Sequence, residues 1–184
     1  STIARTAATL REISPRRLRF SLRFPKLESS KGFLLGESNR RFLRDVATLL
    51  RRIWLGERVS YNKNGILLRN YYGRYVLNLQ IPIYFSVVGT DLLKLAAEIA
   101  DGVISRGPKS YLEKVDGIVK EGLAKRCEPK THFRKIAWLP ALAFGKKADL
   151  KRLKLTAAES IRDMPTKVLE MVDLDAEDRM KIKR

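Results

Sequence analysis

Guanidinium groups crowd two short stretches of this sequence. Arg16, Arg17, Arg19 and Arg23, with Lys26 close behind, fall in "SPRRLRFSLRFPK". Arg40, Arg41, Arg44, Arg51 and Arg52 fall between Asn39 and Leu55, where Asp45 alone carries the opposite sign. A planar guanidinium grips phosphate or carboxylate through two parallel hydrogen bonds, so the chemistry these residues suit is anion binding rather than bond making. Arg69 and Arg74 lie among Tyr71, Tyr72 and Tyr75, whose rings offer faces on which bases stack. Ordinary packing beside a strand is the plainer account of those tyrosines.

Groups suited to catalysis are sparse. Cys127 and His132 are five residues apart in one loop-like stretch. A nucleophilic pair needs a third group to orient its base, and no such group is evident. Glu98 and Asp101 sit in a helical run, where surface or capping charge explains them. No catalytic residue and no metal-ligand set is therefore assigned. Gly89 and Thr90 lie between an apolar run and a helix. There a helix N-terminus can hold phosphate through backbone N–H groups and its dipole. Asp91 puts a negative charge in the same first turn and opposes the anion.

The 184 residues are enough for one domain with a real core. The charge is the unusual property: 38 Lys and Arg against 20 Asp and Glu, net +18. Residues 1–80 hold 17 basic and 5 acidic groups, and residues 81–184 the remaining 21 and 15. Self-repulsion of this size points to a polyanion that neutralises it, with nucleic acid first and an acidic membrane surface second. A solubilising surface charge is the plainer alternative. The single cysteine excludes an intramolecular disulfide and fits a reducing cytoplasm. No apolar run is long enough to span a bilayer, and no signal peptide is read at the N-terminus.

Positioning these groups requires defined elements. Leu18, Phe20, Leu22 and Phe24 alternate with Arg17, Arg19, Ser21 and Arg23, which predicts a strand over 17–24 with one apolar and one cationic face. Burying unpaired guanidinium groups is costly, so the cationic face belongs at a surface or against an anion. Residues 2–13 predict a short helix. Residues 39–55 predict an amphipathic one, capped by Ser38, with Phe42, Leu43, Val46, Leu49, Leu50 and Ile53 inward. Asn64-Gly65 marks a hairpin turn. Residues 81–88 and 133–144 read as apolar strands and 103–105 as a short one. A helix capped by Thr90 and closed by Gly102 lies between the first and the short strand. Pro108 opens another through Lys125, with Tyr111, Leu112, Val115, Ile118, Val119 and Leu123 inward. Helical stretches over 149–162, 164–172 and 175–183 complete an alternation that defines an α/β protein with parallel strands.

The stretch "IPIYFSVVGTDLLKLAAEIADGVI" resembles the luciferase-like monooxygenase superfamily, in particular its deazaflavin-dependent methylenetetrahydromethanopterin reductase branch. There a strand ending in Gly precedes a helix reading like "LxLAGEIADGVI". The segment "FLRDVATLLRRIWLGERVSYNKNGILLRN" resembles that family's helix and hairpin insert, and "AWLPALAFG" and "DMPTKVLEMV" fit the same branch. The resemblance runs over roughly residues 3–180. It implies a (β/α)8 barrel with flavin or deazaflavin at the C-terminal ends of the strands. This chain then holds a partial TIM-barrel-like fold of about four to five parallel strands with flanking helices, left open or completed by a partner chain or a second copy. The family's fourth strand carries small residues where the cofactor approaches. The matching positions are Ser21, Arg23 and Pro25, and Arg19 replaces an apolar residue, so bulky side chains take the space of a planar ring. Gly89 and Thr90 are the cofactor-binding positions that survive.

Charge, missing barrel strands and the altered strand together lead to one expectation: a single truncated domain over 1–184 acting as a basic RNA-binding structural protein. Its basic part with the hairpin is 1–80, and its βαβαβ part with C-terminal helices is 81–184. The leading case is a cytoplasmic ribosome component contacting rRNA phosphates beside neighbouring ribosomal proteins, with no cofactor and no membrane. The arginines named above, with Lys26, would make the contacts. No RRM, KH or zinc-finger signature is present. The alternative is a deazaflavin- or flavin-dependent oxidoreductase, or one subunit of a split enzyme. A structural subunit that completes another protein's barrel is a third reading.

Overall fold

The computed structural model describes residues 2–14, 17–23, 37–73, 81–126, 132–139, 147–162, 164, 166–172 and 177. In chain order the elements are α1 (Thr2–Ile13), β1 (Phe20–Leu22), α2 (Glu37–Trp54), β2 (Val59–Lys63), β3 (Ile66–Tyr71), β4 (Ile83–Ser86), α3 (Thr90–Ile99), β5 (Gly102–Arg106), α4 (Lys109–Ala124), β6 (Arg134–Trp138), α5 (Lys147–Arg162) and α6 (Thr166–Leu169). Four strands form a parallel sheet in the order β1-β4-β5-β6, and β2 with β3 forms a separate antiparallel hairpin. The alternation of strand and helix thus gives the α/β class it predicts. The chain divides into two compact units, 1–86 with 99–102, and 87–98 with 103–184.

In the first unit, small side chains let α1 sit close: Ala4, Ala7 and Ala8 are buried, and Trp54 Nε1 donates to the Ala4 carbonyl at 3.1 Å. The inward stripe of α2 is largely the predicted one, with Leu43, Leu49, Leu50 and Ile53 buried and Phe42 and Val46 half-buried. Ala47 and Trp54 join it. The helix begins at Glu37, one residue before the predicted cap Ser38. Asn64 and Gly65 both take positive φ, 53° and 76°, as a type I′ hairpin turn demands. Asn64 Nδ2 donates to Asp45 Oδ2 at 2.6 Å, which ties the hairpin to α2.

β1 is shorter than the predicted 17–24. It pairs in parallel with β4, Phe20 opposite Ile83 and Leu22 opposite Phe85, and Phe20 meets Trp54 edge to face at 6.0 Å. Arg19, Ser21 and Arg23 are exposed, and Leu18, Phe20 and Leu22 are half-buried. The two-faced strand is present, but only its centre is paired; Phe24 lies outside the described residues.

In the second unit, α3 buries Leu93, Leu95, Ala96 and Ala97, and α4 buries Tyr111, Val115, Ile118, Val119 and Gly122. The predicted inward positions Leu112 and Leu123 are half-buried. Lys94 pairs with Glu121 at 2.7 Å, and Arg126 donates to the Ala97 carbonyl at 2.9 Å. β6 departs from the buried strand that its apolar residues predict. All five residues are exposed, Trp138 at 51 %, and among the described residues β6 ends the sheet with β5 beside it. Residues 140–144 of that predicted strand, and most of the 175–183 helix, lie outside the described residues.

Candidate functional site

In the second unit the chain leaves β4 through Val87, Val88 and Gly89 and enters α3. It leaves β5 through Gly107 and Pro108 and enters α4. Val87 N–H donates to the Ile104 carbonyl at 3.0 Å, which holds the two strand ends together. The C-terminal ends of parallel strands are where ligands meet an α/β sheet.

Gly89 adopts φ +91°, a conformation that side chains resist, and a Cβ there would only touch Val168 Cγ2 at 3.6 Å. The glycine is therefore required by backbone shape, not by space. Its carbonyl accepts the Leu93 N–H at 3.0 Å, the first bond of α3, so Gly89 occupies the capping place expected of Thr90. Its N–H donates to Tyr111 Oη at 3.0 Å. The N–H groups of Thr90, Asp91 and Leu92 precede the first intrahelical bond and have no acceptor within α3. Thr90 Oγ1 donates to the Met171 thioether at 3.7 Å; sulfur is a weak acceptor, so an anionic oxygen would displace it at low cost. Asp91 is exposed in this turn.

Two further groups surround the turn. Tyr111 is fully buried, and burial pushes its phenol above the usual value, against a smaller opposing pull from the Gly89 N–H and the adjacent Ser105 hydroxyl. Ser105 Oγ is itself buried and makes no well-formed hydrogen bond, although its hydroxyl is close enough to bear on the Tyr111 phenol. The 164–172 segment packs against the same place: Met164 against Gly107, Val168 against Gly89, and Met171, whose carbonyl receives Lys114 Nζ at 2.6 Å.

The predicted arginines behave differently from one another. Arg17, Arg19, Arg23 and Arg69 are exposed, Arg40 is half-buried, and Arg41 and Arg44 are exposed but engaged with other groups. Arg51 turns inward. It donates to the Ile99 carbonyl at 2.8 Å and to Asp101 Oδ2 at 3.1 Å, and the same oxygen accepts the Ile83 N–H at 2.7 Å. Arg52 pairs with Glu57 at 2.6 Å. Arg58, absent from the predicted set, lies 5.1 Å from the centre of the Tyr72 ring. Arg16, Lys26, Arg74 and Tyr75 fall outside the described residues, as does Cys127; His132 is exposed. In the first unit Ala4, Ile53, Trp54 and Gly73 line a crevice with no room for a water molecule, so it is not a ligand pocket.

A parallel four-stranded sheet flanked by helices is similar to the TIM-barrel-like fold of luciferase-like enzymes. Residues 1–153 match the luciferase-like monooxygenase family, and the chain belongs to that family. It is 30% identical over 105 residues to the F420-dependent glucose-6-phosphate dehydrogenase of Microbacterium testaceum, covering 53% of this chain and 31% of that one. It is 33% identical over 85 residues to the Mycolicibacterium smegmatis enzyme of the same name, covering 45% and 25%. The coenzyme F420-dependent tetrahydromethanopterin reductase of Methanopyrus kandleri superposes with a TM-score of 0.70 at 20% identity, covering 96% of this chain and 56% of that one. An F420-dependent secondary alcohol dehydrogenase superposes with a TM-score of 0.66 at 16% identity, covering 99% and 56%. The chain thus spans a quarter to a third of these curated relatives and about half of these solved structures.

These relatives overturn the expectation of an RNA-binding ribosomal component with rRNA and ribosomal proteins as partners. The curated proteins it matches are dehydrogenases that use F420, and nothing among them points to ribosomes. Net charge misled because it counts basic side chains without placing them: Arg51, read as part of a phosphate-binding face, turns inward to Asp101. The expectation of no cofactor is likewise unsupported, since the relatives are F420-dependent. Among the described residues no helix is long and apolar enough to cross a membrane.

Proposed function

We propose that this chain acts within a deazaflavin-dependent oxidoreductase and holds the phosphate-bearing end of the cofactor at the β4–α3 turn. The observation that carries this reading is the turn itself: a glycine at φ +91° and three consecutive N–H groups without an acceptor in α3, at the end of a parallel strand. The F420-dependence of the curated relatives selects the cofactor class. Bound there, a deazaflavin supplies hydride transfer. The chain's own part is to position. The amides of Thr90, Asp91 and Leu92 receive the anion, the Thr90 hydroxyl moves from sulfur to oxygen, and Val168 and Met171 shield the turn from water.

Isothermal calorimetry on the purified chain with coenzyme F420, and with FMN in parallel, tests the reading. Saturable binding of F420, stronger than that of FMN, is expected. Absence of heat with F420 at low salt, or equal response to both, overturns it.

A further inference from the structure

Resting on that reading, we propose that Tyr111 is a positioning residue for the phosphate turn, and that Ser105 completes its polar environment when an anion is bound. The Gly89 backbone is fixed at both ends, its carbonyl by the Leu93 N–H and its N–H by Tyr111 Oη at 3.0 Å. A turn fixed in this way presents the next three N–H groups without further ordering, which lowers the entropy cost of binding. The Tyr111 ring is seated with equal care. A Cβ on Gly107 would stand 2.6 Å from Tyr111 Cδ1 and 3.1 Å from Met164 Cε, so Gly107 is the notch the ring requires. Two glycines serve one tyrosine, Gly89 by its shape and Gly107 by its missing side chain.

Ser105 points beyond packing. It is 3 % exposed, its Oγ makes no well-formed hydrogen bond, and the Tyr111 hydroxyl is a polar neighbour. Buried hydroxyls are normally satisfied, and an orphaned one is costly. A buried hydroxyl without a well-formed hydrogen bond, beside the phenol that holds the Gly89 N–H, fits a site whose polar groups are completed when a ligand arrives. A phenol is protonated at neutral pH, and burial raises this one further, so it adds no negative charge against an anion.

Tyr111→Phe keeps the ring in its notch and removes only the hydroxyl. Calorimetry compares coenzyme F420 with its phosphate-free deazaflavin core on the wild-type chain and the variant. F420 is expected to bind about tenfold more weakly to the variant, with the core unchanged, a difference the size of one lost hydrogen bond to a charged system. Ser105→Ala is expected to act the same way, to a smaller degree. Equal weakening of both ligands assigns Tyr111 to general packing and overturns the inference, as does no change for either. If the wild-type chain binds neither deazaflavin, the functional reading falls and inorganic pyrophosphate decides the inference alone. Binding that depends on the Tyr111 hydroxyl supports it, and binding indifferent to the hydroxyl, or none, ends it.

Discussion

At the scale of single residues, Asp91 sets two effects against each other. A carboxylate in the first turn of a helix complements the dipole, typically by about 0.3–1 kcal/mol, and the same charge repels a phosphate. Asp91→Asn should therefore lose a few tenths of a kcal/mol in urea unfolding while binding F420 several-fold more tightly; weaker F420 binding would remove the phosphate from this turn. Asp101 behaves as a brace. One carboxylate oxygen receives Arg51 Nη2 and the Ile83 N–H, so Asp101→Ala removes the counter-charge of a half-buried guanidinium, which keeps only the Ile99 carbonyl among these bonds, and takes the acceptor from a strand amide. A loss of about 2–3 kcal/mol is expected from urea midpoints. In the sequence Asp101 reads as a surface or capping charge, because nothing local reveals partners 18 and 50 positions away. Tyr111 was legible as a core residue from its helical spacing, but its hydroxyl bond to Gly89 was not, since that depends on a neighbouring strand end.

At the scale of elements, α4 offers a paired test of why its glycines are there. Gly117 faces open space, so Gly117→Ala should stabilise the helix by about 0.5–1 kcal/mol. Gly122 sits against α3: a Cβ would stand 2.6 Å from Ala97 Cβ and 2.8 Å from the Lys94 carbonyl. Gly122→Ala should therefore cost about 1–3 kcal/mol despite the better propensity, and equal effects at both positions would deny the close helix contact. β6 depends on charge: Lys135 pairs with Asp116 on α4, which also pairs with Lys120 at 2.9 Å. These partners, Lys120 foremost, hold the Asp116 carboxyl at about 2 against an ordinary 3.8. A lowered carboxylate stabilises the fold above its ordinary value and loses that contribution as pH falls towards the lowered one. Amide exchange in β6 should accelerate across that acidic window and do so less in Asp116→Asn. The helices were readable from periodicity because their apolar stripes are local. The exposure of β6 was not, because Ile136 and Trp138 look the same on an edge as in the middle of a sheet.

At the scale of the whole molecule, the net charge of +18 retains a role in the oxidoreductase reading. A positive field concentrates an anionic cofactor and speeds its capture, and salt screens that field over about 10 Å at 0.1 M. F420 affinity should fall as salt rises while the affinity of the phosphate-free core stays flat; parallel loss of both would detach the charge from recognition. The family was legible in "VVGTDLLKLAAEIADG" because that stretch builds a strand, turn and helix whose geometry constrains it locally. Function was misread because a summed charge carries no placement: Arg51, counted towards an outward cationic face, turns inward to Asp101. The two tryptophans fall one in each unit, with opposite surroundings: Trp54 is 2 % exposed and Trp138 51 %. The chain therefore carries an optical reporter in each half. Iodide should quench the red-shifted emission of Trp138 and spare the blue emission of Trp54, so denaturation followed in the two colours reads whether the halves melt as one body or in turn.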